Sequence, residues 1–475
     1  MKLWKRRILL ILAFSLFFVI APILVFYAIG YRYDFKNKSF RQIGMIILES
    51  KPENADIFIN NKYEAKTPFR MKGLLPNEYD LKIDKEGFNA WEKKLSVTSK
   101  KVTWASNIVL FFKEPEIKKL SDIKFNNFSI SPNYQNIIAS SADKNNPGIW
   151  LIDIETKKSE KFYPKDDFYQ NLPFPEEEIN NLKYSDFIWS PNSKKIVFTI
   201  KTNKTRDVLI IDTNKEKEPL YINSSFDLKT KSLQWKNNEE IYLLDESGNL
   251  HQIELNFKYA PKIIAENIVD FKYNKKNNEI VYILKEDDIN KLSSIKGETK
   301  NNILNLPKDE IFEIEIGKYN NITLLLKNKK ELLLIDSETK EPKIIGNNVN
   351  AFKWSKNENM LLFFGNNELW FYDSKKENNN DILSPAYGYN ESNLITRYST
   401  EIIDANWYPN EEYITILLKN NIKIIELDGR DKRNYQEFKN NLLPKNHYIE
   451  FDKKGENIYL INKDDILQEV KITEF

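Results

Sequence analysis

The sequence contains no cysteine and only two histidines, His251 and His447, among 475 residues. Without cysteine the chain cannot form disulfides, thiolate metal sites or a cysteine nucleophile, and it cannot carry a lipid on cysteine. The two histidines fall in different copies of the repeat described below, which argues against a histidine-dependent triad or a multi-histidine metal cluster. We therefore predict no metal site and no cofactor.

The sequence also lacks a large excess of positive or negative charge. Lysine and arginine number 71 against 69 aspartates and glutamates, which gives a net charge of +2. A mixed charged surface of this kind is not the basic footprint of a nucleic-acid-binding protein, so nucleic acid is not a predicted partner. Hydrophobic residues make up 41% of the chain, which is enough to fill real cores and argues against a disordered protein.

The longest hydrophobic run lies near the amino terminus. Residues 1–7 carry four basic residues, and the 22 residues from 8 to 29 carry no charge. A helix of that length spans about 33 Å, enough to cross a bilayer core of about 30 Å. We predict an uncleaved transmembrane helix over residues 8–29, with a cleaved signal peptide as the alternative. The basic cluster at residues 5–7 favours a cytoplasmic tail (1–7), followed after the helix by a tether (30–42) and an extracytoplasmic remainder.

Residues 43–113 alternate short apolar runs with turn signals, which predicts about five short strands and a small all-β domain. The segment resembles the PEGA domain, in which a strand runs through Ser-x-Pro-Glu-Gly-Ala into a second strand, an Asn/Asp-Gly turn and Thr-Pro. The matching residues are Ser50, Pro52, Glu53, Ala55, Asn60, Asn61, Thr67 and Pro68, followed by Pro76, Tyr79, Gly87 and Phe88. The resemblance implies a compact β-sandwich-like module of surface-exposed proteins, without catalytic residues.

Three glycine positions of the PEGA pattern carry asparagine in this chain, at Asn54, Asn61 and Asn77. Asparagine is the residue that best tolerates left-handed backbone after glycine, so we expect these turns to persist. The substitution agrees with the scarcity of glycine overall, with only 13 in the chain.

Residues 115–475 repeat a pattern of three short apolar runs separated by turn signals. Its clearest copy, at residues 187–212, is FIWSPNSKKIVFTIKTNKTRDVLIID. A marker near the end of the first run recurs at intervals of 36 to 59 residues, at Ile130, Trp189, Trp235, Phe271, Ile316, Trp354, Trp407 and Glu450. The later runs are apolar throughout rather than alternating, which predicts sheets covered on both faces, as in the blades of a propeller.

These copies resemble the blades of TolB-like and WD40-like propellers, whose first strand commonly runs into Ser-Pro-Asp-Gly. The whole chain thus resembles a membrane-anchored bacterial surface protein with a PEGA domain and a propeller. We predict an all-β fold with an eight-bladed propeller, or seven blades if the weak copy near Phe312 merges with a neighbour. Residues 116–120 precede the first copy and are predicted to complete the last blade, which would close the ring.

Motifs of catalysis are not found: the sequence has no Gly-x-Ser-x-Gly elbow, Walker loop, dinucleotide fingerprint or HExxH. Acidic pairs such as residues 287–288 and 464–465 are interpreted as solvated turns, and the blade tryptophans as core packing. The marker positions are mostly Ile, Trp and Phe and share no polar residue type. This pattern argues against an active site in the propeller channel, and we predict no catalytic residue.

Two classes of function remain. We favour a membrane-anchored extracytoplasmic interaction or scaffold protein whose propeller binds a protein or a cell-envelope glycan; the alternative is a propeller-type hydrolase or lyase with its site in the channel. Two long segments, residues 164–186 and 374–400, are predicted to lie on one face of the propeller and to bind the partner. Their aromatic residues either contact that partner or pin the loops to the blades: Phe168, Tyr169, Phe174, Tyr387, Tyr389 and Tyr398.

Overall fold

The computed structural model describes residues 3–475 apart from 36, 142, 144–145, 164–181, 203, 215–217, 256–259, 319–320, 337, 375–389 and 440–441. The chain begins with helix α1 (Leu3–Ala28). Its apolar side chains face outward, with Leu12 and Phe18 each 66% exposed. The stretch Arg6–Ala28 is long and apolar enough to cross a membrane. The predicted apolar helix is therefore present, and a helix that is hydrophobic on all sides is suited to lipid.

The segment predicted as a tether contains a two-stranded hairpin, formed by β1 (Tyr31–Asp34) and β2 (Ser39–Gln42). The strands pair antiparallel, with Tyr33 opposite Phe40. Aromatic and polar residues alternate along them, which favours a strand with two different faces. The left-handed backbone of Lys38 (φ 49°) lies in the turn between the two strands.

The next domain is a sandwich of two sheets. Its strands are β3 (Gly44–Lys51), β4 (Asp56–Ile59), β5 (Lys62–Lys66), β6 (Phe69–Leu74), β7 (Asn77–Asp84), β8 (Trp91–Val97) and β9 (Val102–Val109). One sheet has the order β6-β3-β9, with β3 and β9 parallel, and the other has the order β5-β4-β7-β8. Side chains of both sheets, such as Ile46, Ile57 and Leu95, share one buried core.

Two of the three asparagines at glycine positions of the PEGA pattern have the expected backbone. Asn54 (φ 60°) and Asn61 (φ 64°) are left-handed. Asn77 instead starts strand β7, so its position does not require the conformational freedom of glycine.

In the described residues, the remaining strands form seven antiparallel units of four and a last unit of three, numbered here in chain order as blades 1 to 8. They are β10 (Glu116–Ile130), β11 (Asn136–Ser141), β12 (Ile149–Asp153) and β13 (Ser159–Tyr163); β14 (Lys183–Trp189), β15 (Lys195–Lys201), β16 (Arg206–Asp212) and β17 (Leu220–Tyr221), followed by the short helix α2 (Ile222–Phe226); β18 (Thr230–Trp235), β19 (Glu240–Asp245), β20 (Leu250–Glu254) and β21 (Lys262–Ala265); β22 (Ile268–Asn274), β23 (Glu279–Lys285), β24 (Asn290–Lys296) and β25 (Thr299–Leu306); β26 (Phe312–Ile316), β27 (Ile322–Leu326), β28 (Glu331–Ile335) and β29 (Pro342–Gly346); β30 (Ala351–Trp354), β31 (Met360–Phe364), β32 (Glu368–Asp373) and β33 (Ser392–Arg397); β34 (Ile402–Trp407), β35 (Tyr413–Leu418), β36 (Asn421–Glu426) and β37 (Tyr435–Lys439); and β38 (Ile449–Phe451), β39 (Asn457–Ile461) and β40 (Ile466–Lys471). Units of this kind are those expected for the blades of a propeller, and the count of eight blades stays a prediction.

The long strand β10 belongs to two blades at once. Its second half pairs with β11, ending at Ile130 opposite Ile137. Its first half pairs with β40, starting at Glu116 opposite Lys471. The prediction that residues 116–120 complete the last copy is therefore confirmed. The first and last units join into one seven-stranded sheet, so neither leaves an open edge at this junction.

The hydrophobic cores of the propeller lie between neighbouring blades. Phe198 of β15 packs in one cluster with Ile138 and Tyr163 of blade 1. Leu324 of β27 packs in the same way with Ile283 of β23. Because a blade contacts its neighbours on both faces, residues 196–200 are each at most 3% exposed. This burial explains why the second and third runs of the repeat are apolar throughout.

Candidate functional site

The first strands of the blades share a polar position that the sequence analysis missed. In each four-stranded sheet the first strand lies at one edge, and first strands of neighbouring blades contact one another in the pairs β10–β14 and β22–β26. The strand pairing aligns Tyr273 and Phe451, rather than Phe271 and Glu450, with the other six markers. The residue before each aligned marker is half-buried, and seven of the eight are polar: Ser129, Ile188, Gln234, Lys272, Glu315, Lys353, Asn406 and Glu450. The prediction that the inner strands share no polar position is therefore wrong. The polar position lies one residue before the marker.

Several of these polar side chains connect one blade to the next. The Nζ atom of Lys353 in blade 6 lies 2.7 and 2.9 Å from the two carboxylate oxygens of Asp404 in blade 7. Lys272 in blade 4 donates to Glu315 in blade 5 at 2.5 Å. The side-chain amide of Gln234 in blade 3 donates a hydrogen bond to the carbonyl of Phe271 (2.9 Å) and accepts one from the N–H of Tyr273 (3.0 Å), both on β22. The inner polar position thus holds neighbouring blades in register, and its charges are largely paired.

The marker tryptophans reinforce these junctions. The indole Nε1 of Trp235 donates to the carbonyl of Ile188 in the preceding blade (3.3 Å), and that of Trp407 donates to the carbonyl of Lys353 (3.0 Å). Trp354 donates to a threonine hydroxyl of β27 (3.1 Å). These three rings pack beside blade cores with their single donors satisfied, as buried indoles require, whereas the buried Nε1 of Trp189 has no hydrogen-bond partner among the described residues. The interpretation of these residues as structural packing therefore fits their contacts.

Two carboxyl groups on first strands of blades, those of Glu450 and Asp270, have raised pKa values. Glu450 accepts a hydrogen bond from the backbone N–H of Ile130 (3.0 Å) and one from the hydroxyl of Tyr448. Burial nevertheless raises the pKa of Glu450 to about 7. Burial also raises the pKa of Asp270 to about 6, against the hydrogen bond donated by the N–H of Phe271. Carboxyl groups that titrate near neutral pH can exchange protons, and they mark candidate sites.

A cavity of about 300 Å³ opens next to Glu450. It is formed by the turns between the first and second strands of blades 1, 7 and 8, with one residue from blade 6. Tyr134 and Trp407 supply aromatic surface, and Lys356, Glu450 and Asp452 supply charge. Aromatic faces beside a few convergent polar groups suit a ligand such as a sugar ring or a peptide side chain. This cavity is therefore a candidate site beside the first strands of blades 7 and 8.

A second polar cluster lies between the sandwich and blade 7. The side chain of Lys93, on β8, has no solvent exposure, and its Nζ lies 2.9 Å from Glu426 and 3.2 Å from Asp428. Arg430 binds Asp428 through two nitrogen atoms and donates to the carbonyl of Trp104 at 2.8 Å. Burial alone would raise the pKa of Asp428, but these two cations hold it below its usual range.

Apolar and backbone contacts extend the same interface. Val109 and Phe111 at the end of the sandwich belong to the buried cluster of blades 7 and 8. The hydroxyl of Tyr413 accepts a hydrogen bond from the N–H of Val109 (3.0 Å), and the hydroxyl of Thr473 donates to the carbonyl of Leu110 (2.6 Å). The sandwich and the propeller therefore share a core, which fixes one domain relative to the other.

Five of the six predicted partner-binding aromatics lie outside the described residues: Phe168, Tyr169, Phe174, Tyr387 and Tyr389. The sixth, Tyr398, is half-buried and packs against the core between blades 6 and 7. The Nζ atom of Lys423 lies 5.1 Å from its ring centre, and burial raises the pKa of Tyr398. At this one position the contacts are those of a ring that pins its segment to the blades. A binding role for the six residues stays a prediction.

The two long segments do not start on one face of the propeller as predicted. Residues 164–182 connect β13 to β14, the fourth strand of one blade to the first strand of the next, whereas residues 374–391 connect β32 to β33, the third and fourth strands of blade 6. In an antiparallel sheet these two kinds of connection leave from opposite ends. Residues 374–400 were predicted as a link between blades, but they contain β33, and their longer part precedes that strand. The second segment leaves from the same face as the cavity.

Comparison with known proteins identifies one family in the chain. Residues 43–109 match the family model described as the PEGA domain, and no curated protein matches the chain. Solved structures that resemble the chain include the β-propeller domain of Cps50 (Swd1) from Myceliophteria thermophila, which is 9% identical over 76% of this chain and 100% of that chain, with a TM-score of 0.43. The Dos1 propeller is 10% identical over 75% of this chain and 95% of that chain, with a TM-score of 0.49. An oligogalacturonate lyase from Vibrio parahaemolyticus is 8% identical over 76% of this chain and 94% of that chain, with a TM-score of 0.42. These likenesses concern the fold alone. The chain is an all-β protein that carries a PEGA domain and a β-propeller behind an apolar helix.

Proposed function

We propose that this protein is a membrane-anchored extracytoplasmic interaction protein. Residues 1–7 form the cytoplasmic tail, residues 8–29 cross the membrane, residues 43–113 form the PEGA domain, and residues 115–475 form the propeller that binds a protein or a cell-envelope glycan. The observation that carries this proposal is the buried contact around Lys93. It joins the membrane-proximal domain rigidly to the propeller, as expected for a device that presents one surface at a set distance from the bilayer.

The face of the propeller that bears the cavity is the proposed binding surface. The cavity offers Tyr134 and Trp407 beside charged groups, and residues 374–391 leave blade 6 from the same face. Long irregular segments on a rigid scaffold commonly carry binding residues. A partner with both polar and ring-shaped apolar groups fits this surface best.

Chemical cross-linking in intact cells, followed by mass spectrometry, tests this assignment. Reversing two exposed cavity lysines (Lys356→Glu with Lys453→Glu) should abolish cross-links to the partner while the protein remains folded. A matched control reverses two exposed lysines of blade 4 (Lys296→Glu with Lys300→Glu). Replacing residues 375–389 by a Gly-Ser link should weaken the same cross-links. Retention of every cross-linked partner in the cavity variant, at control level, would reject this surface.

Glu450 is the observation that favours the alternative function, an enzyme. Its pKa of about 7 and its position on the cavity wall are suitable for a general acid or base. Purified full-length protein would be incubated with cell-envelope polysaccharides and peptides, and bond cleavage would be measured. We expect no turnover. Turnover that disappears in Glu450→Gln but persists in Lys356→Glu would establish the enzyme instead.

A further inference from the structure

The hairpin formed by β1 and β2 has one aromatic face and one polar face. Tyr33 pairs with Phe40 on one side, and Arg32 pairs with Arg41 on the other. Phe40 is 66% exposed, and Phe35 at the turn is 84% exposed. Aromatic surface is costly to leave in water, and a contiguous exposed patch of it marks a surface that binds something apolar.

The aromatic face of the hairpin continues the outward surface of helix α1. The ring of Phe26 lies 5.4 Å from that of Tyr31 and 6.3 Å from that of Phe40. Phe26 is in the last turn of the apolar stretch Arg6–Ala28. At 1.5 Å per residue this stretch is about 34 Å long, slightly more than a bilayer core of about 30 Å. Its last turn therefore lies where acyl chains give way to headgroups, and the ring contacts hold the hairpin at the same depth.

The polar face fixes the hairpin between the helix and the PEGA domain. The guanidinium of Arg32 donates to the carbonyl of Tyr27 (2.9 Å) and lies 3.3 Å from the centre of its ring. Arg41 pairs with Asp34 (3.3 Å) and donates to the carbonyl of Pro76 in the PEGA domain (3.4 Å). Movement of the hairpin relative to the bilayer would therefore move the PEGA domain with it.

We propose that the hairpin is a second membrane contact, which lies in the lipid headgroup layer on the carboxyl-terminal side of the helix. Tyr33, Phe35 and Phe40 face the lipid, and the two arginines lie on the side of the phosphates. Aromatic side chains favour this layer, and arginine binds phosphate well. The contact restrains the tilt of the PEGA domain and hence of the propeller. This inference rests on the proposed anchoring by α1.

Depth measurements on full-length protein in phosphatidylcholine–phosphatidylglycerol vesicles test the proposal. Because the chain has no cysteine, single nitroxide labels can be placed by Val19→Cys in the helix, Ser39→Cys in the hairpin and Lys62→Cys on the PEGA domain. Collision with oxygen and with a water-soluble nickel complex reports depth by electron paramagnetic resonance. We expect Val19 in the acyl core, Ser39 at headgroup depth and Lys62 in water.

Removing the aromatic surface should release the hairpin but not the helix. In Phe35→Ser with Phe40→Ser, the label at residue 39 should become as accessible to nickel as that at residue 62, and the label at residue 19 should not change. Tyr63→Ser, which removes an exposed ring of the PEGA domain (51% exposed), is the control and should change neither label. A water-exposed label at residue 39 in the otherwise unchanged chain, with residue 19 in the core, overturns the hairpin proposal alone. A water-exposed label at residue 19 overturns the anchoring as well.

Discussion

At the residue scale, Lys93 is the charge whose loss should be most damaging. Its ammonium group is fully buried between Glu426 and Asp428, so Lys93→Met leaves buried carboxylates with one cation fewer. Breaking a buried pair in this way costs about 3–5 kcal/mol. Urea unfolding of the full-length protein should show this loss of stability. The matched control is Lys94→Met, whose partner Asp80 is 3.6 Å away in an exposed pair, where the cost should stay below about 1 kcal/mol. Equal stabilities for the two variants would contradict the structural role of the cluster.

Glu450 should make the propeller less stable as the pH rises. Its pKa is about 7 in the folded chain, raised by burial from 4.5, so the folded state holds the proton more tightly than the unfolded state. The resulting stabilisation is complete below pH 4.5 and is lost as the pH rises to about 7. A difference of this size corresponds to a change on the order of 3 kcal/mol.

Glu450→Gln should remove this pH dependence because glutamine cannot titrate. Free energies of unfolding measured at pH 5 and pH 8 would be compared with those of Asp288→Asn, a control in which an exposed turn carboxyl is neutralised. The same pH slope in Glu450→Gln as in the unchanged protein would show that Glu450 titrates normally.

At the element scale, ring closure depends on the pairing of β10 with β40. Deleting residues 458–475 removes this pairing and also the hydrogen bond from Thr473 to Leu110. We expect a lower thermal midpoint for the propeller and for the PEGA domain together. A milder variant, Val470→Ala, shortens a side chain in the shared core and should lower the free energy of unfolding by about 2 kcal/mol. The control is Lys471→Ala on the half-exposed side of the strand. A truncated protein that melts at the normal temperature would argue against closure.

The elements differ in how well the sequence predicts them. Closure by residues 116–120 follows from counting strands, and the apolar second and third runs follow from burial on both faces, as for Phe198. The hairpin was missed because each of its two strands has only four residues, which is too short for a period of two to stand out from the sequence. The inner polar position was missed because the blades have different polar residues there. Lys353 forms an ion pair with Asp404, whereas Gln234 donates a hydrogen bond to a backbone carbonyl. Contacts between neighbouring blades, such as that of Trp235 with Ile188, which lies 47 residues earlier, depend on the ring and not on local sequence.

At the scale of the whole molecule, contacts at Gly30 join helix α1 to the PEGA domain, and contacts at Lys93 and Val109 join that domain to the propeller. The orientation of α1 in the proposed membrane anchor therefore determines on which side of the membrane the propeller lies. Ile43 N–H donates to the carbonyl of Gly30 (2.9 Å), which links the helix end directly to the PEGA domain. Four basic residues precede the helix and four follow it within residues 30–42. The three consecutive basic residues at 5–7 lie directly before the apolar run, and this cluster favours a cytoplasmic amino terminus.

This orientation predicts that protease added to intact cells removes the chain after Gly30 and leaves a fragment of residues 1–30 in the membrane. An affinity tag before Met1 would identify that fragment, and a cytoplasmic marker protein that survives the treatment would serve as the control for intact membranes. Replacing Lys2, Lys5, Arg6 and Arg7 by glutamine leaves basic residues only after the helix and should protect part of the propeller from protease. A propeller that resists protease in intact cells but is cut after lysis would show that the orientation is reversed and that partners must be sought inside the cell.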